Sequence, residues 1–333
     1  MTTRAPGAQV LAPAAGAGAR GDPVTAEAAR RRAQQRERRM LDGLAELDQW
    51  LHDQVRAGIA GTDRAGYQPF DILAARMVDA QVPSVAARVR QLAAIAVSGE
   101  GWPARLLEEY ALLHLLASAA PVALADPASA FAATVRAHLG VNVSQHDVRT
   151  TPADRDRWAV LAFRDDVEER LTARRVWLRG ERSGRLAVVM SFAVAGQPLD
   201  SSLVPGTTLD AELHHYPGAV PWRALVGARH AVVPGVAVPA GGPGLAAALE
   251  EWAAVLARDP WLRAWPVMLG GVVPVLDADG WWLVDGSGSL PLVAVGEAGW
   301  GLLATSGGHP VSLLAELVPG GVRPVRAFRA VVR

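Results

Sequence analysis

Near Thr150 the spacing of apolar residues along this chain changes period, from three-and-four to two. A period near 3.6 residues buries one stripe of a helix, and a period of two buries one face of a strand. A helical unit followed by a β-rich unit is the arrangement that satisfies both patterns, so the expected fold class is α+β.

Between Val24 and about Gly140 the pattern is helical, and a bundle is expected. Leu41, Leu44, Leu47, Leu51 and Val55 form one stripe, joined by Trp50, on a helix that Thr25 can cap. A second helix is predicted over Asp71–Ala80. Pro83 opens a third with Val85, Val89 and Leu92 on one side, and Pro103 opens a fourth. That fourth helix is apolar nearly all round, which predicts a place in the middle of the bundle. A fifth is predicted from about Pro127 to Leu139, capped by Asp126.

Beyond Thr150, Trp158–Arg164, Leu171–Arg179 and Leu186–Val194 read as strands, the last two forming an antiparallel hairpin. In Thr208–Tyr216, Leu209, Ala211 and Leu213 alternate with Asp210, Glu212 and His214. Pro234–Gly244 reads as a linker and Leu245–Arg258 as a helix. Short strands follow over Val267–Leu276, Trp281–Asp285, Leu290–Val295, Gly301–Thr305, Val311–Leu317 and Val322–Phe328. Their regular turns suit a small barrel-like end or a curled sheet. The expected division is a disordered Ala/Gly-rich tail (1–23), a helical domain (24–140), an antiparallel β domain (150–233), and a linker, helix and C-terminal β subdomain (234–333).

Composition removes whole classes of chemistry. With no Cys in 333 residues, disulfides, thiolate nucleophiles, iron–sulfur clusters and sulfur-ligated zinc are excluded. Every base is Arg, so no phosphate-loop lysine and no Schiff-base lysine exists. Bases and acids balance at 33 each, leaving no global field for nucleic acid or an anionic membrane. No run of about 18 uncharged apolar residues appears, so no membrane span and a cytoplasmic location are expected.

Few groupings carry chemistry. Six Arg against two Glu lie between Val24 and Arg39, and Arg31, Arg32, Arg38 and Arg39 are candidate nucleic-acid contacts. A solvated helix extension explains the same run, with Glu27 pairing to Arg31 at i,i+4. His214 shares a strand face with Asp210 and Glu212, but His215 points to the other face, so this is more simply a polar sheet face than a metal site. Gly286-Ser287-Gly288 leads into a strand and lacks the strand–turn–helix context of a nucleophile elbow. The eleven Trp are expected to be packing anchors. No catalytic residue, metal ligand or cofactor is assigned.

Several phrases together resemble a known family. These are RRAQQRERRMLDGLAELDQWLHDQVRAGIA (31–60), AARMVDAQVPSVAARVRQLA (74–93), WPARLLEEYALLHLL (102–116), RDRWAVLAFRDD (155–166), RRVWLRGERSGRLAVVMSFA (174–193) and PGTTLDAELHHYPGAVPWRALV (205–226). They are similar to the region after the zinc finger in bacterial, mostly actinobacterial, SWIM zinc finger proteins, over roughly residues 24–330. The resemblance implies a non-enzymatic interaction or scaffold protein, accessory to a MoxR-type AAA ATPase or a von Willebrand A (VWA) protein. The finger pattern, C-x-C-x(n)-C-x-H, has no counterpart in a chain without Cys, so no zinc-ligand role carries to any residue. The finger is expected to be lost or to lie on an upstream segment. A nucleic-acid-binding accessory using the Arg-rich helix 30–39 is the alternative reading, and a cryptic metal-dependent hydrolase around His214, Asp210 and Glu212 is the second alternative.

Overall fold

The computed structural model describes residues 23–64, 66–167, 171–194, 196–235 and 241–328. The tail expected over 1–23 lies almost wholly outside them, as does 236–240 of the expected linker.

Five helices build the N-terminal unit: α1 (Pro23–Ala57), α2 (Gln68–Asp79), α3 (Pro83–Ala96), α4 (Trp102–Ala125) and α5 (Ala130–Leu139). A short α6 (Gln145–Arg149), not anticipated from the sequence, leads into the strands. The α1 stripe is buried as Leu44, Leu47 and Leu51, together with Met40. Prolines occupy the first turn of α2, α3 and α4, where a missing N–H leaves nothing unsatisfied. Ser129 rather than Asp126 caps α5, its Oγ accepting from Ala132 N at 3.1 Å. Gly43 permits close packing of α1 on the end of α2, since a Cβ there would lie 2.3 Å from that of Ala80.

Helix α4 is not enclosed on all sides. Leu106, Tyr110, Leu113, Leu116, Ala117, Ala120 and Ala123 are buried against α1, α3 and α5. The opposite stripe, with Leu107, Leu115 and Val122, remains exposed. By length and composition α4 could span a membrane, although its buried face belongs to the bundle core.

Strands β1 (Ala153–Val167), β2 (Leu171–Gly180), β3 (Leu186–Val194), β4 (Thr207–His215) and β5 (Arg223–Pro234) close into a barrel in the order β1-β2-β3-β5-β4. The long β1 pairs antiparallel with both β2 and β4 and carries a bulge between Val160 and Ala162. A short parallel contact, Val188 to Arg223 and Val189 to Ala224, closes the ring between β3 and β5. This is the connectivity of an OB-type barrel. Trp158, Val160, Val176, Leu178, Leu209 and Leu213 fill its interior, with Leu203 from the β3–β4 connection packed against them.

The C-terminal unit contains α7 (Leu245–Leu256), β6 (Trp265–Asp277), β7 (Gly280–Asp285), β8 (Gly288–Pro291), α8 (Ala298–Ser306), β9 (Val311–Val318) and β10 (Gly321–Phe328). Its strands form a five-stranded sheet in the order β10-β9-β6-β7-β8. The closed barrel therefore lies in the middle of the chain, and the C-terminal end is a curled sheet, with Leu292, just after β8, bridging in parallel to Val322 of β10. Two segments depart from the expected strands. Residues 223–234 form the unrecognised closing strand β5. Gly301–Thr305, expected as a strand, belongs to helix α8, which packs beside β6 and β10 instead of extending the sheet. Gly299 brings α8 close to the sheet, because a Cβ there would stand 2.6 Å from the Trp281 ring.

Two packed regions stand out among the contacts that join these units. The outer side of β1, β2 and β3 packs on the second sheet through Ala159, Leu161, Trp177, Val188, Met268 and Leu314. Glu316 of β9, 1 % exposed, sits there among Arg164, Arg175 and Arg323. At the bundle, Trp261 enters the helical core, and its Nε1 donates to Leu112 O at 2.9 Å. Trp158, Trp177 and Trp261 are thus buried anchors, whereas Trp300 is 60 % exposed and lies edge-on to Trp281.

Candidate functional site

The exposed stripe of α4 forms one wall of an apolar groove about 300 Å3 in volume. Leu51, Val55 and Arg56 of α1 face Leu107, Tyr110 and Ala111 of α4 across it, with His52 and His114 at its border. Val55 is 53 % exposed, Leu107 48 % and Val122, further along the stripe, 67 %. The geometry follows from the two sequences: α1 buries a narrow stripe, while α4 carries apolar residues around most of its circumference. Once α1, α3 and α5 have covered their sides, apolar surface remains facing solvent. Burial raises the Tyr110 hydroxyl to about 12, and its oxygen has no hydrogen-bond partner among the described residues.

Beside the groove, Asp48, His52 and His114 bring one ligand atom each within 4.8 Å, and they are the one such metal-capable trio among the described residues. His114 Nδ1 lies 2.5 Å from Asp48 Oδ1, and His52 Nδ1 lies 2.8 Å from Asp48 O. The rings meet edge-on at 5.2 Å. With both Nδ1 atoms directed at Asp48, the trio acts as a polar clamp between α1 and α4. The i,i+4 spacing of Asp48 and His52 is visible in the sequence; the approach of His114 is not.

The Arg candidates stand apart from this groove. Arg31, Arg32, Arg38 and Arg39 are exposed on the part of α1 that precedes Met40. Arg31 Nη2 donates to Glu27 Oε1 at 2.6 Å, as the spacing predicts. The side chain of Arg30 lies outside the described ones.

The His214 face is not assembled as a ligand set. Asp210 is held bidentately by Arg155 at 3.1 Å for both contacts. Glu212 pairs with His230 at 3.2 Å, and His214 Nδ1 lies 2.8 Å from Thr151 O. His215 is on the buried side, where burial first and Arg185 second push its imidazole below the usual value, against the opposing pull of Asp154. Ser287 is a hairpin residue: its Oγ donates to Asp285 Oδ1 at 2.5 Å and accepts from Ala246 N at 3.2 Å.

A second concave region was not foreseen. Two hollows, about 450 and 480 Å3, meet at Phe192, Tyr216 and Arg223 beside the β4–β5 loop. The first is bounded by α5, the loop and Asp259–Leu262; the second opens where β3 and β5 part below their two-residue contact. His138 Nε2 contacts Asp259 Oδ1 at 2.8 Å in the wall of the first. The lining residues are dispersed from Thr134 to Leu262, so no local motif announces them.

No curated protein and no solved structure matches the chain. Residues 35–139, from the first half of α1 to the end of α5, match the family model of the SWIM-associated four-helix bundle domain, which makes the helical unit similar to the region that accompanies a SWIM finger.

Proposed function

We propose that this chain is a non-enzymatic interaction protein, a SWIM-associated accessory that docks a protein partner on the helical bundle. The observation that carries this reading is the apolar α1–α4 groove and its continuation along Leu107, Leu115 and Val122. Contiguous exposed apolar surface of this kind marks partner sites more often than isolated surface leucines do. It lies within the segment that matches the SWIM-associated domain, and family resemblance nominates a MoxR-type AAA ATPase or a VWA protein as the occupant, in the cytoplasm. The test measures binding of the purified chain to each nominated partner. Saturable binding to one of them, weakened at least about tenfold (roughly 1.4 kcal/mol) by Leu107→Asp, is expected. Failure of both partners to bind, or binding indifferent to that variant, overturns the reading.

A second reading uses the exposed Arg31, Arg32, Arg38 and Arg39 as phosphate contacts of a nucleic-acid-binding accessory. It requires affinity that falls steeply with salt and is lost when these four become Gln.

A further inference from the structure

Arg223 is a half-buried cation with no carboxylate partner among the described residues. Burial pushes its guanidinium below the usual value, and no carboxylate is among the groups acting on it. Its Nε has no hydrogen-bond partner among the described residues, and its guanidinium carbon lies 4.8 Å from the centre of the Tyr216 ring. A cation partly withdrawn from water gains when an anion joins it.

The groove around it has the remaining components. Arg149 and Arg229 line the outer hollow with Arg223. Asp200, whose Oδ1 accepts from Ser202 N at 2.8 Å, is the carboxylate of the outer hollow and offsets part of the charge of Arg229, which donates to Ser202 Oγ at 2.8 Å; Asp259 faces His138. Phe192 is 56 % exposed at the junction of the hollows, beside Tyr216, and Trp222 lines the first. A chain of zero net charge thus concentrates three guanidiniums and three aromatic rings in one continuous depression.

We propose that this depression binds single-stranded nucleic acid, with backbone phosphates at Arg223, Arg149 and Arg229 and bases stacked on Phe192 and Tyr216. Aromatic faces next to cations suit bases on a phosphodiester better than an acidic peptide, which offers nothing to stack. Stacking on side chains requires bases freed from a duplex. Two joined hollows exceed the needs of a single phosphate and fit the few nucleotides that an OB-type barrel engages. The outer β2–β3 face, which OB barrels commonly use, is closed here by the second sheet around Glu316. The surface left open beside the barrel is the β3–β5 cleft together with the β4–β5 loop.

The test is fluorescence anisotropy of a labelled 20-mer oligo(dT) with the full chain, at salt from about 50 to 200 mM. Three phosphate contacts on a single strand predict a log–log salt slope of about −2, reduced by about 0.7 in Arg229→Gln. Phe192→Ala and Arg229→Gln change exposed side chains and should each weaken binding several-fold without altering the thermal melt. Arg223→Met, checked for folding by circular dichroism, should weaken it at least tenfold. Gln at 31, 32, 38 and 39 separates this site from the α1 reading, in which those four arginines carry the binding. Neither ATP nor the corresponding duplex should compete effectively. No binding at about 50 mM salt overturns the proposal. So does loss of binding in the α1 variant with no effect at Phe192 and Arg229, or equal competition by duplex or ATP.

Discussion

Glu316 is the side chain whose removal should most directly loosen the barrel from the second sheet. It accepts from Arg323 Nε at 2.8 Å and Arg164 Nη2 at 3.0 Å, with Arg175 Nη1 at 3.5 Å. Arg164 and Arg175 come from the barrel, whereas Arg323 comes from β10. Glu316→Ala leaves Arg323 without its carboxylate, whereas Arg164 and Arg175 keep Asp166 at 3.5 and 2.9 Å. Removing one partner from a buried ion pair costs about 3–5 kcal/mol. The arginine side chains are 27, 26 and 28 % exposed and can rehydrate in part, so the lower end, about 3 kcal/mol, is expected. Glu316→Gln keeps the shape and an acceptor oxygen but exchanges charge-assisted bonds for neutral ones, for an expected loss of about 1–2 kcal/mol. Urea unfolding followed by Trp fluorescence measures both, with a constant m-value licensing the comparison. An Ala variant within about 0.5 kcal/mol of the parent would refute the reasoning, because that is the range of an unremarkable surface change.

Three further outcomes are expected. Asp156 is 6 % exposed and accepts backbone N–H groups from Arg157, Arg182 and Ser183, at 2.7, 3.2 and 2.9 Å. Burial pushes its carboxyl up, but these donors outweigh burial and hold it below the usual value. Asp156→Ala should lose about 1–3 kcal/mol at pH 7 by leaving buried donors unsatisfied. It should also flatten the decline in stability below about pH 4, where the unfolded carboxyl takes up its proton first. For His215 the lowered imidazole value means that the unfolded chain binds a proton before the folded one. Stability should therefore fall as pH drops below about 6.5, and urea midpoints of His215→Phe at two pH values should show a smaller drop. Trp261→Ala removes a buried ring and its bond to Leu112 O, so a loss of about 3–5 kcal/mol is expected by thermal or urea unfolding.

The helical unit was legible because its signals are local. Leu44, Leu47 and Leu51 recur at one helical spacing, and Pro83 and Pro103 mark two helix starts within a turn. Strand β5 was not legible for an equally specific reason. Its pairing with β4 shifts register between Asp210 and Ala211 and again between Ala211 and Leu213, so its side chains do not alternate cleanly. Gly227 interrupts it where a Cβ would meet the His214 ring at 2.8 Å. Segment 301–305 is short and mixes Gly with apolar residues, so periodicity alone could not distinguish a strand from one turn of α8. Among functional candidates, the sequence displayed the Arg run on α1, since those residues are contiguous. It concealed the Arg149–Arg223–Arg229 groove, whose members come from the end of α6 and from the start and the middle of β5.

By itself, the sequence determined the α+β class, the position of the change from helix to strand, and the exclusion of thiol and lysine chemistry. Those conclusions rest on residue identities and short-range periodicity, which fold topology cannot alter. Tertiary structure decided which strands close the barrel, which face of α4 remains bare, and which of the arginines stand in one groove beside aromatic rings. These outcomes depend on register between distant segments. A bulge or a glycine in one strand can redirect such a register without leaving a period in the chain.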